Sequence, residues 1–164
     1  MIGDIHLDLD AVDVEQLDGA GYDALLFVGD LAAYSHRGGL EVARLIAMLR
    51  TPALVTPGNH DAAHVGQMAA EVFEADRLAS LLHRGQEDRL ESLDEALGPA
   101  RIVGFSRHRL RARHRRIDII AGRPHSAGGP RVAFRPHLRA HFGVDGLEES
   151  ARRLCALVDE SDAD

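Results

Sequence analysis

Three short apolar runs each end in a polar, glycine-bearing turn, and this repeated ending restricts the fold more than any other feature of the chain. Met1-Ile2 runs into Gly3-Asp4, Ala24 to Val28 into Gly29-Asp30, and Ala53 to Thr56 into Pro57-Gly58-Asn59-His60-Asp61. Short uninterrupted apolar runs are the pattern of strands covered on both faces, as in a parallel sheet. Between the second and third run, Leu40, Ala43, Ile46, Ala47 and Leu49 recur at helical spacing within Leu40 to Arg50, which predicts an amphipathic helix. Strand, helix, strand is a βαβ unit, so the chain is read as α/β. Another helix is expected from about Val65 to Leu82.

After Arg101 the character changes. Arg101 to Phe105 and Ile117 to Ala121 read as strands joined by a basic, solvated hairpin connection, and Arg131 to Phe134 as a further short strand. Asp145, with Glu148 three residues on, reads as a capping-box-like start of a closing helix that ends about Asp159. Within that helix Leu147, Ala151, Leu154, Cys155 and Val158 form an apolar stripe, which predicts a buried thiol at Cys155. No repeat or linker divides the 164 residues, so residues 1–164 are expected to form a single domain.

Composition removes several function classes. Hydrophobic residues at 45% can build a core despite only 4% aromatics. A net charge of −7 argues against a nucleic-acid binder, although all 19 basic residues are Arg. One cysteine excludes an internal disulfide framework and a cysteine-based zinc site. No apolar run reaches membrane-span length, and the first residues lack the pattern of a signal peptide, so a cytoplasmic protein without a membrane partner is expected.

The three turns carry the chemistry. In parallel sheets, sites form beyond the carboxyl ends of the strands, so Asp4, His6, Asp30, Asn59, His60 and Asp61 are expected along one rim. Carboxylate, imidazole and amide oxygen donors together suit divalent ions such as Mn, Fe or Zn. The adjoining glycines permit sharp turns and close backbone approach.

As Gly3-Asp4-Ile5-His6, Gly29-Asp30 and Gly58-Asn59-His60-Asp61, these turns resemble the first three motifs of the calcineurin-like metallophosphoesterases, G-D-x-H, G-D and G-N-H-D. Tyr34 to Glu41 and Gly122 to Ser126 point to a subgroup of that family. The resemblance implies a four-layer α/β/β/α sandwich and a metal-dependent hydrolase of phosphate mono- or diesters, acting on a small-molecule or nucleotide phosphoester. It implies two divalent metal ions, with Asp4 and His6 on the first, Asp30 bridging, and Asn59 on the second. It assigns His60 to protonating the leaving oxygen and Asp61 to orienting His60, with in-line attack by an activated water. It also implies a later strand-end histidine and a Gly-His-x-His motif. No Gly-His-x-His occurs in the chain, and His125 reads as a residue of an insertion loop. The expectation is therefore a domain incomplete at its C-terminus, with little activity of its own and at most one well-held ion.

Two rival readings come from other classes. His60-Asp61-Ala62-Ala63-His64 has the spacing of a zinc-protease helix, which makes a zinc hydrolase using His60 and His64 the enzymatic alternative. Pro57-Gly58 just upstream weighs against that helix. The non-enzymatic alternative is a metal-binding or interaction module. The six arginines and two histidines of Arg107 to Arg116 would be its phosphate-contacting patch, although no aromatic is interleaved there for base stacking. Ser106 with His108 lacks a nucleophile elbow. His36 is placed near the cleft, and His64, His83, His114, His137 and His141 have no ligand-like context.

Overall fold

A computed structural model gives the fold. It describes residues 1–33, 35–112, 115–125, 132 and 134–161, without the side chains of 71, 72, 76, 79, 80, 83 and 84. Tyr34, His114, Ser126 and Arg131 lie outside the described residues, as does the His83 side chain.

Four parallel strands form the main sheet in the order β1 (Ile2–Gly3), β2 (Leu25–Val28), β3 (Ala53–Thr56) and β4 (Arg101–Ile102). The helix α1 (Ala11–Gly19) connects β1 to β2, and α2 (His36–Ala47) connects β2 to β3. Both α3 (Val65–Val72) and α4 (Asp76–Leu97) lie between β3 and β4. The α/β reading thus holds, and the strand–helix–strand unit falls where the periodicity puts it. Because β1, β2 and β3 are neighbours pointing the same way, their three following loops emerge at one rim.

The core forms where α2 and α4 cover the sheet. Phe27 and Val55 from the strands meet Ile46, Leu93 and Leu97, each at most 1% exposed. Burying an aliphatic or aromatic side chain of this size stabilises the fold by about 1.5–3 kcal/mol. A smaller cluster of Phe105, Val132, Leu138 and Val144 lies outside this core.

Several local expectations are corrected. The helix expected through Leu82 breaks after α3, where Ala75 N–H donates to Ala70 O at 2.8 Å across Glu74 at φ 54°, a left-handed closure usually made by glycine. The hairpin is present, but the basic stretch is not merely its connection: it lies within the paired antiparallel strands β5 (Ser106–Ala112) and β6 (Arg115–Ala121). Arg107 and Arg109 are bound there to the same carboxylate, Asp118, at 3.9 and 2.8 Å. Val132 and Phe134 are not in a strand, and α5 (Arg135–Phe142) follows them.

The closing helix α6 (Leu147–Asp159) is capped by Gly146 without a side-chain hydrogen bond. Asp145 instead pairs with Arg139 at 2.5 Å. A capping box does form at the start of α1, where Asp10 accepts from Asp13 N–H and Asp13 accepts from Asp10 N–H. Cys155 is exposed, and α6 has no buried residue. Its stripe has the right spacing but nothing among the described residues covers it. No helix among the described residues is long and apolar enough to cross a membrane.

Candidate metal centre

The loop after β1 runs beside the loop after β2. His6 N–H donates to Asp30 O at 2.9 Å, and Leu7 N–H to Leu31 O at 3.2 Å. The backbone turns sharply in both loops: Asp4, His6, Leu7 and Asp30 all have positive φ, at 51°, 46°, 76° and 22°. Such angles are costly for residues with a side chain and collect where a site dictates geometry.

The third loop closes over Asp30. His60 N–H donates to Asp30 Oδ1 at 2.8 Å, while Asp30 Oδ2 lies 4.0 Å from His6 Nε2. With His6 from the first loop and His60 from the third, all three loops meet at Asp30; Asn59 precedes His60 in the third. The rings of His6 and His60 stand edge to face, 5.4 Å apart. Gly58 packs so closely that a Cβ there would fall 2.1 Å from Asp30 Oδ1 and 2.3 Å from Asp30 N.

Asp61 is 1% exposed. Its oxygens accept from Ala32 N–H and Gly58 N–H, each at 2.9 Å. Burial pushes its carboxyl upward, opposed by those amide bonds, and the Asp30 charge adds to the rise. The bonds of Asp61 stitch the second loop to the third. The ring nitrogen Nδ1 of His60 is taken up by the carbonyl oxygen of Ala33. The carboxylate of Asp61 thus ties the loops that carry Asp30 and His60, and Ala33 O meets the His60 ring.

One donor atom from each of Asp4, His6 and Asp30 lies within 4.8 Å of the other two. Donors that share an ion at about 2.0–2.2 Å stand roughly 3–4 Å apart; His6 Nε2 and Asp30 Oδ2 are 4.0 Å apart, so the carboxylate and imidazole donors suit a divalent cation in chemistry and would draw together around one. Asp30 is 7% exposed, whereas Asp4 and His6 open to solvent.

The sequence profile of the calcineurin-like phosphoesterases matches residues 1–143. The chain belongs to that family. The match spans the three loops and extends through the hairpin and α5, and the parallel sheet with its helices agrees with the metallophosphoesterase fold. No individual curated protein and no solved structure gives a significant match.

Other histidines fall differently from their sequence reading. Residues 59–62 form a turn and α3 starts at Val65, so His60 and His64 do not share a helix face. His64 Nδ1 accepts from Gly66 N–H at 3.0 Å. The zinc-protease alternative therefore lacks the geometry it needs. His36 opens α2, and burial together with the Arg89 charge holds its imidazole below the ordinary value.

His125 stands in a turn after β6 and packs inward. It is 1% exposed, its N–H donates to Pro57 O at 2.7 Å, and its Nδ1 donates to Gly58 O at 3.0 Å. It braces the third loop from behind. Burial, with a smaller contribution from His137, pulls its pKa down to about 4, so the ring is neutral near pH 7. Arg89 also supports this loop, donating from Nε to Ala62 O at 2.6 Å. A second donor group of Glu87, His137 and His141 also escaped the sequence reading. The four-residue spacing of its two histidines was the available signal.

Proposed function

We propose that the chain is a metal-dependent phosphoesterase that hydrolyses a phosphate mono- or diester, small-molecule or nucleotide, at the rim of its parallel sheet. The observation that carries this reading is the convergence of Asp4, His6 and Asp30 donors within 4.8 Å, in a chain matched by the family over residues 1–143. Asp4, His6, Asp30 and Asn59 would hold a pair of divalent cations, with Asp30 between them. When bound, such cations supply Lewis acidity and an acidified water.

The chain's own residues do the rest. Asp30 presents Oδ2 toward His6 while Oδ1 is anchored by His60 N–H. His60, held at Nδ1 by Ala33 O, is assigned to deliver a proton from Nε2 to the leaving oxygen. Asp61 keeps the second and third loops in register, so that His60 and Asp30 stay together.

The non-catalytic reading draws on one observation: the described site groups a full three-donor set only once around Asp30, enough for one well-held ion. One assay separates the two. The chelator-stripped chain is given Mn2+ and tested on p-nitrophenyl phosphate and its bis-ester, beside His60→Ala. Slow, metal-dependent hydrolysis is expected. General acid help is worth about 10²–10⁴-fold, so His60→Ala should fall to background while keeping its metal. Metal-independent hydrolysis, or full activity in His60→Ala, would contradict the mechanism. No hydrolysis by a metal-loaded chain would leave the binding module.

A further inference from the structure

A second set of donors lies where α4 meets α5, apart from the three strand-end loops. His137 and His141 are four residues apart on α5, so their rings share a face, with centroids 4.6 Å apart and planes inclined by 34°. Glu87 on α4 reaches that face. Its Oε1 lies 2.9 Å from His137 Nδ1 and 2.8 Å from His141 Nε2, and its Oε2 lies 2.8 Å from the same His141 nitrogen. One donor atom from each residue lies within 4.8 Å of the others. His137 is 7% exposed, Glu87 half-buried and His141 open to solvent. The group lines a cleft of about 750 Å³ whose walls include Arg101, His108 and His125.

We propose that Glu87, His137 and His141 form a separate cation site for a borderline divalent ion, Zn2+ above all. Two imidazoles and one carboxylate are a donor set of three-ligand zinc sites, which keep their fourth position for water or an anion. The cleft supplies the space for that fourth group. A purely hydrogen-bonded cluster would use the same contacts to hold α5 on α4, so the geometry must change in one respect when an ion enters. The ring nitrogens facing the carboxylate must present lone pairs, by tautomer change or proton release. The N···O separations must also widen to roughly 3–3.5 Å around bonds of about 2.0–2.2 Å. Glu87 and His141, with side chains 36% and 45% exposed, have room for that shift. The bound ion would cross-link α4 to α5. It would also stiffen the seat of His125, whose ring stands edge to face with that of His137 at 5.2 Å.

The test is calorimetric titration with Zn2+ of the chelator-stripped full chain in three forms. These are the native chain, Asp4→Asn/Asp30→Asn to disable the strand-end site, and that double variant with His141→Gln. The double variant should retain one zinc equivalent, and adding His141→Gln should weaken it by roughly tenfold or more. A zinc-induced rise in melting temperature should vanish in step with that binding. Unchanged zinc affinity in the triple variant, or no zinc on a folded double variant, would overturn the site and leave a hydrogen-bonded brace. Should the double variant not fold, His141→Gln in the native chain decides. Loss of one zinc equivalent supports the site, and an unchanged count removes it.

Discussion

Asp30 owes its position to the residues around it. Its own backbone is turned to φ 22°, and its Oδ1 is pinned by the amide of His60 across 30 residues of sequence. The space for that contact exists because residue 58 has no side chain. A methyl group at Gly58 would collide with both the carboxylate and the amide of Asp30. Overpacking in a tight site costs about 1–3 kcal/mol. Gly58→Ala should therefore lower the urea midpoint correspondingly and weaken metal binding as Asp30 is displaced. A variant with native stability and metal affinity would show that the loop yields freely. That Asp4, His6, Asp30 and His60 come together at one rim was legible because each sits in a short motif at a strand end. It could not disclose what Asp61 and His125 touch. Asp61 bonds to Ala32, 29 residues away, and His125 to Gly58, 67 residues away, and no local spacing encodes such pairings.

At the scale of elements, the helices are held by polar ties as well as by the core. Asp18 in α1 accepts from the amides of Arg50 and Thr51, each at 3.0 Å, and from Arg50 Nε at 3.2 Å. These bonds, the Arg50 amide first and then that of Thr51, hold its carboxyl down to about 2. A depressed folded-state value means that the unfolded chain takes up the proton first. The contribution of Asp18 is thus complete above pH ~4 and is lost as pH falls toward 2. Asp18→Ala should lower the melting temperature at neutral pH, and its deficit against the native chain should shrink between pH 4 and 2. A deficit independent of pH in that window would mean that the charge contributes nothing. Strands and α2 were legible because apolar runs and helical periodicity come from the core itself. The break between α3 and α4 was not, since Glu74 occupies a left-handed position without the glycine that would mark it. That the hairpin's strands extend through the basic residues was hidden because β5 alternates half-buried and exposed residues within a run of arginines, which reads as solvated connection.

Across the whole molecule, the candidate centre sits on the better-packed part. The main cluster joins α2 and α4 to the sheet from which all three loops emerge. α6 contributes only Leu157 to the second cluster and leaves Leu147, Leu154 and Val158 between 37% and 52% exposed. The periodicity of α6 was read correctly and its burial was not, because spacing says which residues share a face and not what covers it.

Three loops converge on Asp30, the carboxylate proposed to hold cations, and Mn2+ titration of Asp30→Asn tests that role most directly. Asparagine keeps the shape and an oxygen for the His60 amide while removing the charge. The titration is best done in the His141→Gln chain, so that the cluster on α5 does not contribute. The chain with Asp30 intact should bind one ion well and a second weakly, and Asp30→Asn should weaken both by roughly tenfold or more. Binding of Mn2+ with unchanged stoichiometry and affinity would contradict a cation-holding role for Asp30.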